Sequence, residues 1–167
     1  MKKILVLAVG IVLIIVVVLV VILVVGGGDN GGGGNDEVAG AVKVPINFQD
    51  ASNVGSISID LTYDVAVLQV LEVKAGELAQ NAMLEYNIKN PGRVIIGIVD
   101  SSGINGNGAV AKIGFNVVAP SGTTPLTLQA VDTHDATSLI DIINTTSNGS
   151  FTGQNQTLTP PVISFRP

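Results

Sequence analysis

From Val42 onward, apolar side chains recur at every second position in one short run after another, and nothing beyond residue 26 shows the spacing of an amphipathic helix. Val42, Val44, Ile46 and Phe48 alternate with Lys43, Pro45, Asn47 and Gln49. Pro45 has no N–H for a ladder, which favours an edge position. Ile57, Ile59, Leu61 and Tyr63 alternate with Ser56, Ser58, Asp60 and Thr62. A β-branched run over 67–73 stops at Gly76, and Leu84, Tyr86 and Ile88 then alternate with Glu85, Asn87 and Lys89. Asn90-Pro91-Gly92-Arg93 has proline second and glycine third, the combination of a type II turn. Ala111, Ile113, Phe115 and Val117 follow a glycine-rich loop at 103–108, and further strands are predicted at 126–131, 140–143 and 149–152. Nine short strands at intervals near a dozen residues predict an all-β sandwich.

The run at 94–99 is apolar at every position but Gly97, so only one of its faces can enter the core. Counting from the turn at Gly92 puts Val94, Ile96 and Ile98 inward. Ile95, Gly97 and Val99 then face outward, to be covered by something else.

Between Ile4 and Val25 lie twenty-two residues without a charge. As a helix they would span about 33 Å, enough for a hydrocarbon core of about 30 Å. Lys2 and Lys3 precede this run and Asp29, Asp36 and Glu37 follow it, so the positive-inside rule predicts a cytoplasmic N-terminus. The length of the run, with the only Ala-x-Ala far beyond it at Ala39-Gly40-Ala41, predicts an uncleaved, single-pass signal anchor, a cleaved signal peptide being the alternative. Seven of the ten residues from Gly26 to Asn35 are glycine, a flexible tether about 18 Å long on average. The expected organisation is an anchor at 1–25, a linker at 26–38, one extracellular sandwich at 39–155 and a tail at 156–167.

Composition removes several classes of function. The chain has no cysteine, which excludes disulfides, thiolate metal sites and lipid attachment through sulfur. From Asp29 on, six bases (Lys43, Lys74, Lys89, Arg93, Lys112, Arg166) face thirteen acids, a net −7 with no basic stripe, so nucleic acid is not an expected partner. His134, the only histidine, lies between Asp132 and Asp135 and reads as a loop residue between strands, because no nucleophile context accompanies it. Asp132, Asp135, Asp141, Asn105 and Asn107 do not match a calcium-loop pattern. No cofactor and no enzymatic activity are predicted. Tyr63 and Tyr86 both fall in apolar registers and are expected in the core, which weighs against a carbohydrate platform built on exposed rings. Asn144, Asn148 and Asn155 each begin an Asn-x-Ser/Thr triplet and are open to glycosylation in an exported domain.

Leu61-Thr62-Tyr63-Asp64-Val65-Ala66-Val67-Leu68-Gln69-Val70, followed by Val73 and Gly76-Glu77-Leu78, resembles the pattern of cohesin domains. Tyr86-Asn87-Ile88, Gly92, the 94–99 strand, Ile104-Asn105-Gly106-Asn107-Gly108, Ile113-Gly114-Phe115-Asn116-Val117, Leu126-Thr127-Leu128, Asp135, Ile140 and Gly149-Ser150-Phe151 continue it in order, over about residues 41–152. The resemblance implies a nine-stranded jelly-roll β-sandwich that binds a calcium-loaded dockerin, the calcium carried by the partner, in assemblies that display polysaccharide-degrading enzymes. It implies a partner-binding face made of Ser56, Ser58, Asp60, Thr62, Asn90, Ile95, Gly97 and Val99. Ser56, Ser58, Asn90 and Val99 stand where cellulosomal cohesins of bacteria place acidic, asparagine and tyrosine contacts, so their pairing code is not reproduced. A carbohydrate-binding module and a structural or adhesive surface protein are the alternatives.

Overall fold

A computed structural model describes residues 40–166, so the expected anchor at 1–25 and linker at 26–38 lie outside the described residues. Nine strands follow in order: β1 (Ala41–Thr62), β2 (Leu68–Ala75), β3 (Met83–Asn87), β4 (Arg93–Val117), β5 (Thr123–Asp135), β6 (Asn144–Ser147), β7 (Gly149–Thr152), β8 (Thr157–Thr159) and β9 (Val162–Phe165). The only helical element among the described residues is a 3-10 turn at Glu77–Ala79.

Strands β1 and β4, of 22 and 25 residues, each join two of the expected strands because each bends from one layer into the other. In β1 the buried positions are Val44, Ile46 and Phe48, then Ile57, Ile59 and Leu61. The period-two phase thus changes from even to odd, and ladder irregularities with positive φ at Asp50 and Asn53 mark the crossing. Strand β4 makes the same change of phase, burying Val94, Ile96 and Ile98 before its bend and Ile113, Phe115 and Val117 after it. The glycine-rich stretch expected as a loop is this bend. Gly103, at φ +76°, lies so close to Asn53 that a side chain there would clash. Asn105 and Asn107 accept hydrogen bonds from the backbone N–H groups of Asn53 and Asp50, which joins the two bends.

In one layer β2 pairs with the second half of β4, which pairs with the first half of β1. Strand β9 adds to β1 in parallel from Asn47, leaving Pro45 in the stretch that has β4 alone beside it. In the other layer the order is β3, first half of β4, second half of β1, then β5. The start of β5 pairs with β7, and β7 with β8. The turn at 90–93 forms as predicted, with Arg93 N–H donating to Asn90 C=O and Gly92 at φ +80°.

Three expectations change. Residues 140–143 form no strand; Asp141 makes an isolated bridge to His134, and Ile140 and Ile143 stay exposed. The predicted tail at 156–167 instead supplies β8 and β9, whose Ile163 and Phe165 are buried, Phe165 packing edge-on against Phe48. Tyr63 packs edge-on against Phe115, but Tyr86, on edge strand β3, is 44% exposed rather than core. Two of the three Asn-x-Ser/Thr asparagines have structural work. Asn144 donates to Thr133 Oγ1, and Asn148 accepts from Leu128 N–H, while Asn155 sits exposed in the β7–β8 turn.

Asp135 closes the end of β5. Its carboxylate accepts from the N–H groups of Ser138 and Thr137, the Ser138 hydroxyl and the Asn53 side chain. These donors hold its pKa down at about 2, against an ordinary 3.8. A depressed carboxylate pKa stabilises the fold above the ordinary value, and the gain disappears as pH falls through the folded one. Asp135→Asn is therefore expected to melt below the parent at neutral pH, the gap closing between pH 3.8 and about 2. Thermal melts of both proteins across that range check this; a gap that persists unchanged at pH 2 would contradict it.

Candidate functional site

The outer face of the β3–β4–β1–β5 layer brings the predicted residues together by ladder register. Val99 pairs with Ser56, Gly97 with Ser58, Ile95 with Asp60 and Arg93 with Thr62. Because Val94, Ile96 and Ile98 fill the core, alternation turns Ile95, Gly97 and Val99 outward. Val99 is 55% exposed and Ile95 is partly buried. Asn90 lies in the exposed turn beyond the Arg93 end of the face.

The register also adds residues that local sequence reading did not place here. On β3, Met83 stands beside Val99, Glu85 beside Gly97 and Asn87 beside Ile95. On β5, His134 stands beside Ser56, Asp132 beside Ser58 and Ala130 beside Asp60. Met83 is 71% exposed and with Val99 forms an apolar corner. The alternation of 83–89 already turned Glu85 and Asn87 away from the core. Which strand β3 would join is a long-range pairing that alternation does not encode.

Hydrogen bonds within the face fix much of the polar row. Arg93 holds Asp60 through two parallel bonds, Nε to Oδ1 at 2.8 Å and Nη2 to Oδ2 at 2.7 Å. The Arg93 hydrogen bond, with its charge, keeps the Asp60 carboxyl below the usual carboxylate range. Gln129 donates to the Thr62 hydroxyl at 3.0 Å. Asp60 and Thr62 are thus pre-positioned, which lowers the side-chain ordering cost of a partner contact.

His134 is a strand residue of β5, not the loop residue expected. Its Nδ1 lies 3.3 Å from Ser56 Oγ and its Nε2 lies 3.0 Å from Asp141 Oδ1. The order Ser–His–Asp looks hydrolytic, but Ser56 lies within β1, its backbone paired with Val99 on one side and His134 on the other. Ser56 is not on a strained nucleophile turn, and it does not line the open recess formed by His134, Asp141 and their neighbours. The arrangement orients polar groups on a surface. Asp135, close by in sequence, spends its carboxylate on the turn described above.

The cohesin domain family model matches residues 33–153, well over half of the chain. Among solved structures, the chain is similar to a non-cellulosomal cohesin from the hyperthermophilic archaeon Archaeoglobus fulgidus, at 27% identity and a TM-score of 0.61, covering 77% of this chain and 83% of that one. It is similar to the CaDoc0917–CaCohA2 complex at 28% identity and a TM-score of 0.62, covering 68% and 89%. The solution structure of CaCohA2 from Clostridium acetobutylicum is similar at 25% identity and a TM-score of 0.59, covering 71% and 84%. No curated protein matches the chain. A family match of that length, on a two-layer β fold that superimposes on solved cohesins, assigns the chain to the cohesin domain family.

Proposed function

We propose that this chain is a binding module for a calcium-loaded dockerin, which docks on the outer face of the β3–β4–β1–β5 layer. The observation that carries this reading is the register that sets Ile95 and Val99 on either side of Gly97, beside Ser56, Ser58 and Asp60. The face combines the exposed Val99 and the partly buried Ile95 with hydrogen-bonding neighbours already held in place, the composition of an interface core and its rim. Its partner-facing positions carry no Trp, Tyr or Phe, the rings on which sugar platforms are built, which favours a protein over a sugar. Relatives of similar fold include cohesins solved with dockerins, which supports the same partner class. The apolar run between Ile4 and Val25 would hold the module, and any enzyme fused to the dockerin, at the outer surface of a membrane.

Titration of the protein with dockerin modules, with and without calcium, tests this directly. Saturable binding is expected only with calcium. Since the ion belongs to the dockerin, chelation should abolish binding and leave the melting temperature of this chain unchanged. Saturable binding to a polysaccharide with no dockerin binding would contradict the proposal. Release of the full-length chain by alkaline carbonate would contradict the membrane anchor.

A further inference from the structure

We infer that the gap over Gly97 is a socket for one lysine or arginine side chain of the partner, its methylene stem lying between Ile95 and Val99 and its cation at Glu85. This rests on the dockerin reading and gives that face a specificity. A Cβ placed on Gly97 would meet nothing within 4 Å, so the position is an open notch in the middle of the face. Its walls follow from the ladder: Ile95 and Val99 two residues away on either side along β4, Ser58 across on β1 and Glu85 across on β3. Same-face neighbours along a strand stand roughly 6.6 Å apart, and adjacent strands about 4.8 Å, which leaves room for one unbranched chain.

The chemistry of the walls selects the occupant. Two aliphatic walls suit a methylene stem, and Glu85 is exposed and makes no hydrogen bond or ion pair among the described residues. Asp60, by contrast, is already taken by Arg93. A purely apolar occupant would desolvate Glu85 without compensation, and an acidic one would meet Glu85 and, across Ser58, Asp132. Lysine or arginine satisfies both parts of the socket, burying its stem and pairing its tip.

The test uses the full chain and a dockerin selected for binding to it from a displayed library of calcium-binding dockerin modules. Gly97→Leu, which fills the notch, is expected to weaken binding by about tenfold or more, and Glu85→Gln by about three- to tenfold with a flatter salt dependence. Glu85→Lys should bind worse still, and a Lys→Glu or Arg→Glu change in the dockerin that destroys binding to the parent should restore it with Glu85→Lys. Glu72→Gln, on β2 in the other layer, should change nothing. Melting curves confirm folding, and the milder Gly97→Ser covers the case in which Gly97→Leu unfolds. Parent-like binding by Glu85→Lys and by the Gly97 variants overturns the socket and leaves the dockerin reading standing; failure of every dockerin to bind overturns both.

Discussion

Val99→Asp is expected to fold as the parent does and to weaken dockerin binding by roughly a hundredfold or more. Val99 is 55% exposed, opposite Ser56 on one side and Met83 on the other, so a carboxylate there is solvated in the free protein and costs the fold little. In a complex that carboxylate would lie against the apolar centre of the partner. Burying an unpaired charge typically costs about 3 kcal/mol or more, and each 1.4 kcal/mol is about tenfold in affinity. Ile95→Asp should lose as much binding, but it is the less clean variant. Ile95 is partly buried and stands directly opposite Asp60, so the new acid also repels a neighbour in the fold. Isothermal titration of both variants, with melting curves alongside, measures this; parent-like affinity of folded Val99→Asp would remove that corner from the interface.

Phe115→Ala is expected to cause the largest loss of stability among single substitutions considered. Phe115 is fully buried in the second half of β4, paired with Val42 of β1 and Val70 of β2. Its ring also meets Tyr63 edge-on at 5.0 Å, at the end of the segment that leads out of β1. Removing the ring forfeits its transfer free energy and leaves a void between two layers that share two continuous strands and cannot collapse independently. Such truncations cost about 3–5 kcal/mol, which for a domain of this size lowers the melting temperature by roughly 10–20 °C. Tyr63→Leu should cost less, since that ring is only partly buried. Denaturant melts of both variants check the order; a Phe115→Ala protein within about 1 kcal/mol of the parent would mean that the layers repack around the loss.

Much of this fold can be read locally because alternation reports burial directly. Val44-Ile46-Phe48 and Ile57-Ile59-Leu61 are both core faces, as their spacing indicates. That they belong to one bent strand is not legible, because the phase change through Asp50 and Asn53 looks in sequence like a turn between two strands. The outward direction of Ile95 and Val99 follows from the turn at Gly92, a local signal. The place of Glu85, Asp132 and His134 on the same face depends on which strands become neighbours, and no local pattern carries that. Strand β9 is missed for a related reason. Val162-Ile163-Ser164-Phe165 is short and follows two prolines, so its burial rests on parallel pairing with Asn47, Phe48 and Gln49 far away in sequence.

The absence of cysteine permits the most direct test of where the partner sits. Single substitutions Val99→Cys and Ser58→Cys on the proposed face, and Leu71→Cys on β2 of the other layer, place one thiol at a time at exposed positions. Alkylation rates are then measured with and without a saturating calcium-loaded dockerin. Docking on the β3–β4–β1–β5 face should slow labelling at 99 and 58 by more than about tenfold, as expected for an interface core closed to water, and leave Leu71→Cys unchanged. Unchanged labelling at both 99 and 58 under saturation, or protection at 71 alone, would contradict this account.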